Sequence, residues 1–356
     1  MKNSTLIAAS FAAAALALLS SCAKQIPDGQ DAATAPCTLT LTLDGIVTAQ
    51  ETKVIGQNIG SESTISDVQI LVFNSETGKL DAAKRVAGLS AVTNYSLTES
   101  LECTQGSREI WALVNAPVNY IDGSAADMVT RLTDLKSRTS ALTDNTASHL
   151  VMAGSAAVTL NAATQNVSVT VSRICAAVVL GTVSNEMYLP AYQQSGKVKI
   201  TGAYLMNVPN QQKYDLSVSA KTLAQTSWIS ANTKTSEDAQ KLLTQDTYNE
   251  VVAYNGTLSK VSTFYAYPND ADPSEAAVWS QRATTLIVEA EIDGQSCVYP
   301  VQLGQLAANT KYTVTLKLHR MGADPTKPWE QIKFDAVTPL VTVADWTTGA
   351  PVNTEI

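Results

Sequence analysis

The chain has 356 residues, of which 45% are hydrophobic, and a formal net charge of -8 at pH 7. A chain of this length can bury a large core, and its length favours two domains. Its negative charge disfavours nucleic acids and anionic lipid headgroups as partners, because both carry phosphate groups that an acidic surface repels.

Residues 1–21 have the pattern of a bacterial lipoprotein signal peptide. Lys2 gives a positive start, residues 6–19 are small and apolar, and residues 19–22 read Leu-Ser-Ser-Cys. The apolar run is too short to cross a bilayer as a helix, and it ends in small residues before a cysteine. We expect residues 1–21 to be removed and Cys22 to carry acyl chains that hold the protein on the outer membrane of a Gram-negative bacterium. An ordinary secretory signal with a chance cysteine is the alternative.

Residues 22–35 are polar and small, with Pro27 and Gly29 among them. This composition is typical of a disordered segment. We expect these residues to form a flexible tether between the lipid and the folded body.

Strands are predicted from residue 36 onward, because apolar and polar residues alternate between turn residues. Residues 38–43 place Leu39, Leu41 and Leu43 on one face and three threonines on the other. Residues 68–73 and 110–114 are apolar on both faces, which is typical of central strands.

Helices are predicted to be few and short. Ser124 and Asp127 have the spacing of a capping box ahead of Met128, Leu132 and Leu135, which fall on one helical face. Residues 237–243 are a second candidate helix.

The second half of the chain also favours strands. Residues 167–171 alternate, and the apolar run 174–180 follows them without a loop. Residues 286–292 and 297–303 alternate on either side of Asp293-Gly294, a hairpin signal, and residues 312–318 form a further strand.

These elements predict an all-β chain of two tandem antiparallel β-sandwich domains with few short helices. We place the boundary where one strand runs directly into the next. The first sandwich then covers residues 36–173 and the second covers residues 174–356.

No motif for catalysis, for a cofactor or for a metal is present. His149 and His319 lie far apart and have no further ligand at metal-binding spacing. Glu289 and Glu291 share one face of a strand, and we interpret them as its solvent face rather than as a glycosidase pair. Four aromatic residues could stack on a sugar, although Tyr and Trp are equally common in sandwich cores. They are Trp228, Tyr265, Tyr267 and Trp279.

Four cysteines follow Cys22, at positions 37, 103, 175 and 297, and none forms a C-x-x-C pair. We expect buried, small hydrophobic side chains. Disulfides in an exported protein are the alternative, and four cysteines allow three connectivities.

The order of motifs resembles the fimbrillins, or type V pilins, of Bacteroidetes over nearly the whole chain. The matching features are the lipobox ending in Cys22, TLTLTL at 38–43, SDVQILVF at 66–73, WALVNAP at 111–117, LVMAG at 150–154, VSRICAAV at 171–178, FYAYPN at 264–269, the hairpin at 293–294 and VTVADW at 341–346.

The resemblance implies two transthyretin-like β-sandwich domains, export as a lipoprotein, proteolytic removal of an N-terminal strand and assembly by donor-strand exchange. Its processing site corresponds here to Lys53, which makes Val54 the new N-terminus. The displaced strand would carry Leu39, Leu41 and Leu43.

Physical reasoning supports such an exchange. Burial of three leucines contributes roughly 5 to 9 kcal/mol, against a domain stability of only about 5 to 15 kcal/mol. A vacated groove should therefore capture a strand from another subunit. The candidate donor is residues 337–356, with Leu340, Val341, Val343 and Trp346. Alternatively, this strand merely closes the second domain.

The predicted function is a structural subunit of a surface fimbria that supports adhesion and biofilm formation. Its predicted partners are other fimbrial subunits, whether a homopolymer or stalk, tip and anchor proteins, together with a maturing surface protease and the outer membrane. One rival is a lipidated anchor or accessory subunit that keeps its first strand. Another is a surface adhesin that binds glycans. No cofactor and no enzymatic activity are predicted.

Overall fold

A computed structural model describes residues 24–25, 35–44, 62, 64–89, 97–230, 245–271, 283–328 and 337–345. The strands are β1 (Lys24–Gln25), β2 (Pro36–Asp44), β3 (Asp67–Asn74), β4 (Leu80–Ala87), β5 (Leu97–Thr104), β6 (Gly106–Val114), β7 (Thr139–Ala141), β8 (Met152–Leu160), β9 (Thr164–Thr170), β10 (Ser172–Arg173), β11 (Ala176–Asn185), β12 (Val198–Met206), β13 (Val208–Pro209), β14 (Gln211–Lys213), β15 (Trp228–Ile229), β16 (Gln245–Val251), β17 (Ser262–Ala266), β18 (Thr285–Ile292), β19 (Gln295–Gln302), β20 (Thr310–Leu318) and β21 (Val337–Asp345). The helix α1 is Leu132–Ser137, and short 3-10 turns cover Leu142–Asp144, Pro190–Tyr192, Ala220–Thr222 and Gln225–Ser227.

The fold is an all-β sandwich arrangement, as the alternating sequence predicts. A six-stranded sheet has the order β1-β4-β3-β6-β8-β10, and a three-stranded sheet has the order β5-β2-β9. Their facing side chains form one core, in which Ile70 and Ile110 of the larger sheet join Leu39, Leu41 and Leu43 of the smaller sheet. The predicted alternation of residues 38–43 is confirmed, because the three leucines are buried and the threonines between them are half-buried.

The second half of the chain builds two four-stranded sheets, with the orders β17-β11-β20-β21 and β16-β12-β18-β19. Neighbouring strands are antiparallel except in two pairs, β2 with β9 and β11 with β20. Each parallel pair joins strands far apart in the chain, because parallel neighbours need a long crossover and cannot be joined by a tight turn.

The predicted hairpin at Asp293-Gly294 is confirmed. Ile292 of β18 lies opposite Gln295 of β19, so two residues form the turn. Both have positive φ, 51° for Asp293 and 80° for Gly294, as a type I′ turn requires.

The prediction that a capping box at Ser124 starts a helix is wrong. The Asp127 and Met128 amides donate to the Ser124 carbonyl, which closes a single turn. The chain then extends and the Leu80 amide donates to the Thr130 carbonyl, so pairing with a distant segment overrides the local signal. Helix α1 begins only at Leu132. The second candidate helix, residues 237–243, lies outside the described residues.

The six-stranded sheet is covered on both faces. Its second face, with Leu71, Phe73 and Trp111, belongs to the same apolar cluster as the strands of the second half, including Val178 and Phe264. Burial on both sides explains why residues 68–73 and 110–114 lack alternation.

The domain boundary at 173/174 stays a prediction. It falls between β10, which pairs in the first half, and β11, which pairs in the second. No helix among the described residues is long and apolar enough to cross a bilayer.

Gly154 of β8 lies against the end of β9. A Cβ atom built on Gly154 would be 2.0 Å from the Thr170 carbonyl oxygen. We expect Gly154→Ala to lower the free energy of unfolding by about 1 to 3 kcal/mol, because the backbone must shift to relieve the overlap. Urea denaturation measures this loss. Gly181→Ala is the matched control, since its Cβ would meet a Thr313 methyl group at 3.1 Å and the Val314 carbonyl oxygen at an ordinary contact distance of 3.5 Å, and equal losses would contradict the argument.

Candidate functional site

Strand β2 lies between two partners in the three-stranded sheet. It pairs with antiparallel β5 from Pro36 opposite Thr104 to Leu43 opposite Leu97. On its other side it pairs with parallel β9, where Thr38 lies opposite Thr164. Loss of β2 would therefore unpair the backbone groups of both neighbours and divide the sheet.

The inward face of β2 is fully buried. Leu39, Leu41 and Leu43 each have 0% of their surface exposed. Leu39 lies opposite Leu101 on β5, which faces the same core. On the outer face, the Thr38 hydroxyl donates to Glu102 at 3.0 Å. The strand thus presents a row of apolar side chains at alternate positions, which a replacement strand would have to reproduce.

Loss of β2 would leave a groove between β5 and β9. A buried ion pair that does not involve β2 helps to fix β5, one wall of this groove. The Arg108 Nε atom lies 2.8 Å from Asp81 Oδ2, and Arg108 has 1% of its side chain exposed. The Thr104 amide at the end of β5 donates to the same carboxylate oxygen at 2.9 Å. Asp81 lies on β4, so this network ties β5 to the six-stranded sheet.

The predicted lipid and processing positions, Cys22, Lys53 and Val54, lie outside the described residues. Glu62, the next described residue after β2, is buried with 8% exposed. The Tyr265 hydroxyl of β17 donates to Glu62 Oε1 at 2.5 Å, and the Arg173 guanidinium donates to the Glu62 carbonyl at 3.3 Å. Burial and the adjacent Glu62 carboxylate raise the pKa of Tyr265, so its hydroxyl remains a donor at neutral pH.

Glu62 anchors the chain just after the predicted processing position. Sequence patterns offered no reason to select it, because a single glutamate among Ser and Thr residues looks like an ordinary surface residue. Its position, five residues before β3 begins at Asp67, did not distinguish it either.

The predicted donor strand corresponds to β21 and lies at the edge of its own sheet. It pairs with antiparallel β20 from Val337 opposite Leu318 to Asp345 opposite Thr310. Val341 packs on the core, whereas Val343 has 56% of its surface exposed. Among the described strands, β21 has a partner on one side only. Leu340 lies within this strand, and Trp346 lies outside the described residues.

The other candidate residues do not come together. The Ser66 hydroxyl lies 3.2 Å from His149 Nδ1, whereas the Tyr188 hydroxyl lies 2.9 Å from His319 Nδ1. Within the described ranges, no cluster of three or more His, Cys, Asp or Glu side chains could hold a metal. Glu289 and Glu291 are half-buried on β18.

The four aromatic residues considered for sugar stacking form no exposed surface among the residues with described side chains. Tyr265 and Tyr267 are buried, Trp228 is half-buried, and Trp279 lies outside the described residues. A cavity of about 360 Å³ is lined by Trp111 and Tyr214, but each has only 4% of its surface exposed.

Comparisons with known proteins identify the fold. No family model and no curated protein matches the sequence. Among solved structures, a "putative cell adhesion protein" of Bacteroides eggerthii has a TM-score of 0.65 at 19% identity, covering 89% of this chain and 98% of the other. A fimbrilin of Porphyromonas gingivalis has a TM-score of 0.60 at 15% identity, covering 88% and 99%.

A third structure is the C-terminally truncated tip fimbrial protein Mfa3 of Porphyromonas gingivalis. Its TM-score is 0.51 at 11% identity, and the alignment covers 87% of this chain and 100% of the other. The chain therefore has the fold of the Bacteroidetes fimbrillins and related cell-surface proteins, as the order of sequence motifs predicts.

Proposed function

We propose that this protein is a structural, non-catalytic subunit of a cell-surface fimbria, exported as a lipoprotein and assembled by protease-triggered donor-strand exchange. The observation that carries this proposal is the position of β2, an N-terminal strand held between β5 and β9 with three fully buried leucines. The fimbrial proteins among the solved structures of the same fold support it.

The proposed sequence of events begins with the lipid on Cys22, which holds the exported chain on the outer membrane. A surface protease cuts after Lys53, so that Val54 becomes the N-terminus and residues 22–53, including β1 and β2, are released. Residues 337–356 of a second subunit then enter the groove between β5 and β9. Because each subunit has one groove at its beginning and one donor at its end, the polymer grows with a single polarity.

The proposal requires that the body survive the cut, and two contacts support this. Glu62 holds the first part of the processed chain through Tyr265 and Arg173. Asp81 of β4, which pairs with Arg108, accepts a hydrogen bond from the Thr104 amide and so holds β5, one wall of the groove, on β4. The groove between β5 and β9 can then stay open after the cut. Adhesion and biofilm formation follow from the assembled polymer.

A second candidate is a lipidated anchor or accessory subunit that keeps β2 and terminates the polymer at the membrane. Strand β21 favours it, because in this structure the strand completes its own sheet. The position of Cys37 directly opposite Cys103 favours it as well, because a disulfide between the two would keep β2 in place.

The mass of the mature N-terminus separates the two candidates. We expect polymerised protein to begin at Val54 and Lys53→Ala protein to stay monomeric with an acylated Cys22. Lys24→Ala is the matched control, because Lys24 is the other basic residue between Cys22 and Glu62 and should have no effect. Polymers that contain acylated Cys22 throughout would contradict release of the first strand.

A further inference from the structure

We infer that Cys37 and Cys103 form a disulfide during folding outside the cytoplasm, and that this bond decides whether β2 can leave the protein. The bond itself is independent of the proposed function. Its consequence for release of the strand rests on that function.

The register places the two cysteines together. Cys37 on β2 and Cys103 on β5 are direct antiparallel partners, and both side chains face the same core. The Cys103 thiol lies 3.5 Å from the Cys37 carbonyl oxygen. Directly opposed antiparallel residues have Cα atoms about 4.5 to 5.5 Å apart, within the range of about 4.4 to 6.8 Å that a disulfide spans.

Among the cysteines of the described ranges, the strand register indicates no other bridging pair. Cys297 on β19 lies opposite Ala290, and Cys175 lies in the connection before β11. All four thiols are free and buried in this structure. The sequence left the pairing of the cysteines open, whereas the register supports one pair, Cys37 with Cys103.

The bond forms by thiol–disulfide exchange with an external disulfide. The thiolate of one cysteine attacks that disulfide and releases one external thiol, which gives a mixed disulfide. The second cysteine then attacks the protein sulfur of the mixed disulfide and displaces the other external thiol. The protein loses two electrons and two protons, and the external disulfide is reduced to two thiols.

Burial determines when this exchange can occur. Cys37 has 1% and Cys103 has 6% of its surface exposed. Burial, together with the adjacent Cys37, raises the pKa of Cys103 to about 12. Because only the thiolate reacts, the folded, reduced protein exchanges slowly at neutral pH. The bond therefore forms before β2 pairs with β5 and both thiols become buried, and burial protects it from reductants afterwards.

The consequence is a subunit that retains its first strand after proteolysis. A cut after Lys53 leaves residues 22–53 attached through Cys37, together with any lipid on Cys22. Reduced protein loses the strand and opens the groove. The redox state at folding thus divides the same chain between a membrane-retained form and a polymerising form.

The first test uses the mature chain with Cys22→Ala, refolded in a mixture of oxidised and reduced glutathione. Mass spectrometry of an unreduced digest should find a linked peptide that contains Cys37 and Cys103. The same peptide should persist in the Cys175→Ala/Cys297→Ala double variant and disappear in Cys37→Ala. Absence of the linked peptide, or a predominant link to Cys175 or Cys297, would overturn the inference.

The second test adds a recognition site for a sequence-specific protease after Lys53. On denaturing gels without reductant, we expect at least tenfold less free N-terminal fragment from the glutathione-refolded protein than from the same sample reduced. Equal release in the two lanes would refute the proposed covalent retention. If the linked peptide is found but Cys37→Ala protein never polymerises after the cut, the proposed function fails and the disulfide stands.

Discussion

We expect a body cut after Lys53 and separated from residues 22–53 to unfold at a much lower urea concentration than the intact chain, and a synthetic peptide of residues 36–44 to raise the midpoint back towards its original value. The lost burial of Leu39, Leu41 and Leu43 is worth roughly 5 to 9 kcal/mol, against a whole-domain stability of about 5 to 15 kcal/mol. The backbone groups of β5 and β9 also lose their partners. Urea titration of reduced protein, followed by circular dichroism, measures the change.

The two faces of the strand supply the control peptides. A Leu41→Asp peptide should not restore the midpoint, because it would place an unpaired charge in the core. A Thr40→Asp peptide should restore most of it, since Thr40 lies on the outer, half-buried face. Equal midpoints for the cut and the intact protein would show that β2 closes no groove.

Removal of residues 337–356 should leave export intact and abolish polymer formation. The deleted strand β21 has a hydrogen-bonded neighbour on one side only among the strands that the structure describes, so we expect the monomer to stay folded. Such a subunit still has a groove but no donor. When mixed with the complete protein it should therefore end each growing chain and shorten the filaments seen by electron microscopy. Filaments of normal length from the truncated protein alone would exclude these residues as the donor.

A point substitution separates donation from simple closure of the second sandwich. Val343 is 56% exposed, so Val343→Asp should change the stability of the monomer by no more than about 0.5 kcal/mol. If Val343 enters the groove of another subunit, the same change should strongly reduce polymer formation. Val251→Asp is the matched control, because Val251 is 50% exposed and lies outside the terminal strand.

Local sequence patterns predicted individual strands well. The alternation of Leu39, Leu41 and Leu43 identified both β2 and its buried face, and Asp293-Gly294 identified a tight turn. These patterns work because side-chain direction in a strand and positive φ in a turn are local properties. The capping box at Ser124 failed for the opposite reason, since the chain after it is fixed by pairing with a distant segment.

Partners that are distant in the chain could not be predicted. Nothing in the sequence of β2 indicates that its parallel neighbour is β9. Glu62 likewise gave no signal, because its role depends on Tyr265 about two hundred residues later. Pairing of Cys37 with Cys103 was one of several possibilities until the register of β2 and β5 was known.

The position of β2 between two strands also has a mechanical consequence. A strand that occupies this position and is pulled along its own axis loads its hydrogen bonds to β5 and β9 at the same time, rather than one after another. A strand held in this way resists tension far better than an edge strand whose hydrogen bonds break one at a time. A filament joined in this way would hold a cell against flowing liquid without a covalent bond between its subunits.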